Sequence, residues 1–231
     1  MRPTPLALVA LAVLSTAAPA QAPATTQRLS DTLPVLPDVY ASRLAQFERE
    51  PVATGRVVFL GNSITQGGDW PRLTGDSTAV NRGIGGDVTF GVRARLDEVI
   101  RRRPSKLFLL IGVNDVSKDI PEPAIAANVR AIVDAVKAGS PETTVYVQSA
   151  LPLNPTVPGF PQHYDKGDHV VRLNRLLRGV AAATRARFVD LYPLFLDRHG
   201  RLDARYTRDG LHLNEAGYQR WVAHLRKTGA L

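Results

Sequence analysis

A repeated alternation constrains this chain most: short apolar runs rich in β-branched and aromatic residues, separated by segments with helical spacing. Val57-Val58-Phe59-Leu60 is the first run, Leu107-Phe108-Leu109-Leu110-Ile111 the second and Thr144-Val145-Tyr146-Val147 the third. Arg187-Phe188-Val189 is shorter, and Ala79-Val80-Asn81 is a weaker candidate between the first two. A strand with one wet face alternates polar and apolar residues; runs without alternation belong to strands covered on both faces. Between them, Val92, Leu96, Val99 and Ile100 form one helical stripe, and Ile125, Val129, Ile132, Val133 and Val136 another. Leu173, Leu176, Leu177 and Val180 make a third, Trp221, Val222 and Leu225 a fourth. Tyr40, Leu44 and Phe47 predict a short helix ending before Pro51. Strands of this composition alternating with helices require a mostly parallel sheet with helices on both faces. The expected fold is α/β: a three-layer α/β/α, flavodoxin-like domain with about five strands.

At 231 residues the chain suits one well-filled domain. Its first residues read differently from the rest. Arg2, an apolar run from Leu6 to Leu14 and small residues up to Ala22 have the pattern of a secretory signal peptide. The apolar run is too short to span a bilayer comfortably. The expected organisation is a leader over 1–22, a loose polar lead-in over 23–37 and one domain over 38–231, exported to the periplasm or medium without stable membrane insertion. There is no cysteine, so disulfides and thiolate chemistry are excluded. Net charge is +8, but the basic residues are scattered, with no stripe of cations and aromatic platforms for nucleic acid. Arg95 and the run Arg101-Arg102-Arg103 are read as part of a solvated basic surface.

Four segments carry chemistry. The first strand runs into Gly61-Asn62-Ser63-Ile64, which leaves Ser63 at a strand's carboxyl end and at the start of a helix. Unpaired N–H groups there favour developing negative charge. A lone serine in that position is more often an N-cap. Gly83-Ile84-Gly85-Gly86-Asp87 lets backbone approach a ligand, but it lacks the spacing of a nucleotide loop. Asn114, in Gly112-Val113-Asn114-Asp115, offers an amide donor that does not titrate; an ordinary Asx turn is the competing reading. In Asp209-Gly210-Leu211-His212, the carboxylate can curl back onto one ring nitrogen and leave the other facing out. Asn214 is placed to cap the last helix. Each segment follows a strand or precedes that last helix, so the fold gathers them on one edge. Together they supply a nucleophile, oxyanion donors and an oriented base, the parts needed for acyl transfer.

In this order the blocks resemble the SGNH hydrolases, the GDSL-like esterase and lipase superfamily, over roughly residues 56 to 227. The Gly-Ile-Gly-Gly-Asp wording is similar to the branch of platelet-activating-factor acetylhydrolase subunits and bacterial carbohydrate O-acetylesterases. The resemblance implies Ser63 as nucleophile, His212 as base, Asp209 as its support, and an oxyanion hole of the Ser63 and Gly86 N–H groups and the Asn114 amide. One departure is that Asn62 stands where the family's name-giving aspartate would be. The expected activity is hydrolysis of short acyl esters, acetyl first, on a small molecule or glycan, with no cofactor and no metal. A lysophospholipase, a broad lipase or thioesterase, an acyltransferase, and a non-catalytic glycan- or lipid-binding module remain alternatives. The Pro-rich segment from Leu151 to Gly167 follows a strand and is expected to form a substrate loop, with Phe160, His163 and Tyr164 as its contacts.

Overall fold

The computed structural model describes Met1 and residues 36–231; the rest of the expected leader and nearly all of the lead-in lie outside the described residues. The described residues from Leu36 to the C-terminus form one compact unit. Its five strands are β1 (Val57–Gly61), β2 (Val80–Gly83), β3 (Lys106–Leu110), β4 (Thr144–Gln148) and β5 (Arg187–Val189). All pair in parallel, in the order β2-β1-β3-β4-β5. The weak expectation near residue 80 is a true edge strand.

Nine α-helices lie among the described residues: α1 (Val39–Arg49), α2 (Ser63–Gln66), α3 (Trp70–Thr74), α4 (Thr89–Ala94), α5 (Leu96–Ile100), α6 (Val113–Ser117), α7 (Glu122–Gly139), α8 (Gly167–Thr184) and α9 (Glu215–Lys227). None of the described helices is long and apolar enough to cross a membrane.

The pleat sends successive side chains to opposite faces. On one face Phe59, Phe108 and Tyr146 sit on adjacent strands in register and stack, with centroids 4.9 and 4.6 Å apart. Trp70 of α3 stacks on Phe59 at 3.7 Å, and Trp221 of α9 meets Trp70 edge-on at 4.9 Å. Trp221 sends its indole N–H to Gln148 Oε1, so this buried aromatic leaves no donor unpaired. On the other face, Leu107, Leu109, Val145 and Val147 are buried towards the layer in which α7 packs on α4, α5 and α8.

Two expectations need correction. The stripe from Val92 to Ile100 is not one helix, because the chain breaks at Arg95 between α4 and α5. Nor is Arg95 solvated: its guanidinium is buried and bonds the Asp87 carboxylate and the carbonyls of Gly61 and Arg82. Arg102 is likewise buried, bonded to Glu98 and to the carbonyls of Phe47 and Pro51. These cations replace water with carboxylates and carbonyls, which is the condition for burying charge. Removing one partner of such a pair costs about 3–5 kcal/mol.

Strand order fixes where a ligand can sit. The chain moves from β1 outward to β2, then returns across β1 to β3, so the direction of winding reverses at β1/β3. Ligands bind in the crevice outside the carboxyl ends at such a reversal. Gly61 is level with Gly83 and with Leu110 across the two pairings. Ser63, Gly86 and Asn114 therefore leave the sheet at one edge, a few residues past three level strand ends.

Candidate active site

Ser63 opens α2, but it does not cap it. Asn62 does, its Oδ1 accepting the Ile64 N–H at 3.0 Å. The cap reading of Ser63 thus falls to its neighbour, and the serine hydroxyl is free for another partner. That partner is His212, whose Nε2 lies 2.8 Å from Ser63 Oγ. His212 Nδ1 lies 2.8 Å from Asp209 Oδ2. Asp209 Oδ1 meanwhile accepts the backbone N–H groups of Leu211 and His212 at 3.1 and 2.7 Å. The carboxylate is thereby pinned by its own turn before it meets the ring. Burial opposes ionisation of Asp209, but the His212 N–H and ring and the Leu211 N–H outweigh it and hold the carboxyl below its ordinary value. A carboxylate can only accept, so Nδ1 carries the hydrogen and Nε2 presents a lone pair to the serine.

The segment is held in place by α9. Asn214 accepts the Gly217 N–H at 3.0 Å as the helix cap, as its position in the sequence predicts. Tyr218, one turn further on, donates its hydroxyl to the Ile64 carbonyl beside the serine, at 2.7 Å.

Gly86 lies in the left-handed region, at φ 73°, which a side chain rarely adopts. A Cβ there would also approach the Pro37 ring at 3.2 Å. Asp87, next in the chain, is tied to Arg95 and to the Val88 N–H. Burial nonetheless outweighs Arg95 and pushes its carboxyl up to about 6. Asn114 lies in α6, not in a free Asx turn, because Gly112 at φ 117° turns the chain directly from β3 into that helix. The Asn114 amide nitrogen donates to the Asp87 carbonyl at 3.0 Å, which joins the second and third segments. Gly86 and Asn114 line one recess of about 360 Å³ together with Pro37, Ser117, Lys118, Gln162 and His163.

The expected substrate loop does follow β4, and its three named residues have separate surroundings. The Phe160 ring meets His212 edge-on, with centroids 4.8 Å apart. His163 is buried, 3% exposed, with Nε2 3.4 Å from Asn114 Oδ1. Tyr164 is spent inside the loop, since its hydroxyl accepts the Gly159 N–H at 2.8 Å and donates to the Val157 carbonyl at 3.3 Å. Only Phe160 and His163 touch the site, so Tyr164 braces the loop and its hydroxyl is not offered to a ligand.

Sequence reasoning missed Asp115. Its buried carboxylate accepts the N–H and the hydroxyl of Thr89, whose hydroxyl in turn accepts from the Asn128 amide at 3.0 Å. No cation pairs with it among the described residues, and burial pushes its carboxyl up to about 6. A carboxyl raised on folding contributes stability below its unfolded value near 4, and that contribution is lost as pH rises through about 6. Asp115→Asn removes this titration. The stability of the variant relative to the parent should therefore rise by about 2–3 kcal/mol between pH 4 and pH 7. Urea unfolding of both proteins at the two pH values checks this; an unchanged difference would mean that Asp115 titrates alike folded and unfolded.

The sequence model of the GDSL-like lipase/acylhydrolase family matches residues 59–220. The platelet-activating factor acetylhydrolase IB subunit alpha1 of Pongo abelii is 31% identical over 179 residues, covering 74% of this chain and 72% of that protein. A solved Streptococcus pneumonia structure described as a platelet activating factor is 28% identical, with a TM-score of 0.75 over 88% of this chain and 97% of that one. A GDSL-like lipase from Bacteroides thetaiotaomicron is 25% identical, with a TM-score of 0.71 over 83% and 98%.

Proposed function

The chain belongs to the GDSL-like lipase/acylhydrolase family, and from that premise we propose that it is a serine esterase of short acyl groups, acetyl first, working through Ser63, His212 and Asp209. The observation that carries this reading is the unbroken hydrogen-bonded chain from Asp209 through His212 to Ser63, 2.8 Å at each step. A binding module has no use for a base of fixed tautomer aimed at a hydroxyl.

In the proposed reaction Ser63 Oγ forms a bond to the acyl carbon while its proton passes to His212 Nε2. The carbonyl oxygen becomes an oxyanion, held by the N–H groups of Ser63 and Gly86 and the amide of Asn114. As the intermediate collapses, the bond to the leaving alcohol breaks and His212 returns the proton to that oxygen. Water then attacks the acyl-enzyme, giving its proton to His212, and collapse releases the acid and restores the Ser63 hydroxyl. Asp209 supports the imidazolium in both halves without taking its proton.

The recess supports a short acyl group on a polar alcohol. Lys118, Ser117 and Gln162 on its walls suit hydroxyl groups, whereas a long acyl chain needs an apolar channel. The acetylhydrolase named among the relatives points the same way. Acetylated glycans are therefore the substrate class we propose. A panel of nitrophenyl esters from two to twelve carbons tests the reading, beside acetylated xylan and acetylated sialic acid. The expected kcat/KM is highest for acetyl and roughly tenfold lower by eight carbons, a difference of about 1.4 kcal/mol. A rise towards twelve carbons would favour the lipase reading instead.

We also propose that the protein is exported, on the leader pattern of residues 1–22. Sequencing the N-terminus of the protein in the native host should find a start shortly after Ala20 or Ala22. A start at Met1 would refute export by this leader.

A further inference from the structure

The Asn114 amide has its orientation set from two sides. Its nitrogen faces the Asp87 carbonyl at 3.0 Å, and a carbonyl can only accept, so Oδ1 must point the other way. On that other side stands His163, with Nε2 3.4 Å from Oδ1. An amide oxygen brings no hydrogen, so the hydrogen between them belongs to Nε2. His163 Nδ1 is sealed from solvent and has no hydrogen-bond partner. With the proton on Nε2 that nitrogen is a bare lone pair, which avoids burying an unpaired N–H. Burial, reinforced by repulsion from His212, pushes the His163 ring down to about 4, so it stays neutral under the conditions in which His212 acts as base. Nε2 is committed to Asn114 and Nδ1 is sealed, so His163 has no nitrogen left for proton transfer with substrate.

We infer that His163 is a positioning residue for the oxyanion hole: its Nε2–H holds Asn114 Oδ1 away from the site, so that the second amide hydrogen of Asn114 is presented to the oxyanion. The role rests on the proposed assignment of Asn114 as an oxyanion donor. At 3.4 Å the bond is long, and such bonds tighten as charge develops in the transition state. The chain Nε2–H···Oδ1=C–Nδ2–H···O⁻ polarises along its length, so a donor at one end strengthens the donor at the other.

The geometry of the two nitrogens provides the test. A glutamine amide reaches about as far as Nε2, whereas an asparagine amide reaches only to the position of Nδ1. With an acetyl ester as substrate, His163→Gln should keep kcat within about threefold of the parent, while His163→Asn and His163→Phe lose roughly tenfold with KM nearly constant. In an Asn114→Ala background, His163→Phe should cost less than about twofold more, since the group it positions is gone. The proposal is overturned if His163→Asn matches His163→Gln, which needs no folded Phe variant, or if His163→Phe costs the same with and without Asn114. The oxyanion assignment is checked separately by Asn114→Ala alone, expected to lower kcat roughly 10²–10³-fold. An unchanged kcat there would remove Asn114 from the oxyanion hole, and the role of His163 with it.

Discussion

Ser63→Ala is expected to lower kcat by about four to six orders of magnitude while leaving the fold and its unfolding midpoint nearly unchanged. The loss is large because the hydroxyl forms the bond to the acyl carbon and nothing else described can stand in for it. The fold should survive because, among the described residues, the Oγ has only His212 as a hydrogen-bond partner, and the cap of α2 is made by Asn62. Residual turnover should come from water activated by His212 in an intact oxyanion hole. Steady-state kinetics on an acetyl ester, with urea unfolding as the control, measure both halves. More than about a hundredth of the parent kcat would mean that Ser63 is not the nucleophile.

Asp209→Asn is expected to lower kcat roughly 10³–10⁴-fold with little change in KM. Asparagine keeps an oxygen for the backbone N–H groups of Leu211 and His212, so the turn should hold. Its amide nitrogen then faces His212 Nδ1 and donates to it. That reverses the tautomer and points an N–H, not a lone pair, at Ser63. The variant should also lose the hydrogen-bonded imidazolium that the first half of the reaction requires. A loss of less than about tenfold would show that His212 is oriented by some other contact.

The architecture was legible in the sequence because both-face burial leaves unbroken apolar runs, and β1, β3 and β4 fall on those runs. β2 was fainter: at the sheet edge Val80, Asn81 and Arg82 need not all be apolar. The break at Arg95 was not legible, because the apolar stripe continues across it; the guanidinium that sits at the break is held by Asp87 and two strand-end carbonyls, contacts that only the folded chain brings together. For the same reason Arg95 and Arg102 resembled surface cations, since composition does not reveal that a charge has found buried partners.

Ser63, Gly86, Asn114, Asp209 and His212 were readable as a set because each stands beside a boundary between elements. Asp87 and Asp115 were not. Each sits next to a readable residue, and a buried acid and an exposed one have the same letter. The separation of Phe160, His163 and Tyr164 into three roles depends on how the loop folds back on itself, which the prolines of that segment do not specify. Asn62 is a further case. In the sequence it is the departure from the family's aspartate, and in the structure it is the residue that caps α2 and frees the serine.

Fluorophosphonate labelling followed by peptide mapping tests most directly whether Ser63 is a nucleophile activated by His212 and Asp209. The probe bonds only to a serine whose proton is being withdrawn, so it reads activation without assuming any substrate. The account predicts one adduct, on the peptide carrying Ser63, absent from Ser63→Ala and formed at least roughly a hundredfold more slowly in Asp209→Asn. An adduct on another serine, or equal labelling rates in the parent and Asp209→Asn, would contradict it.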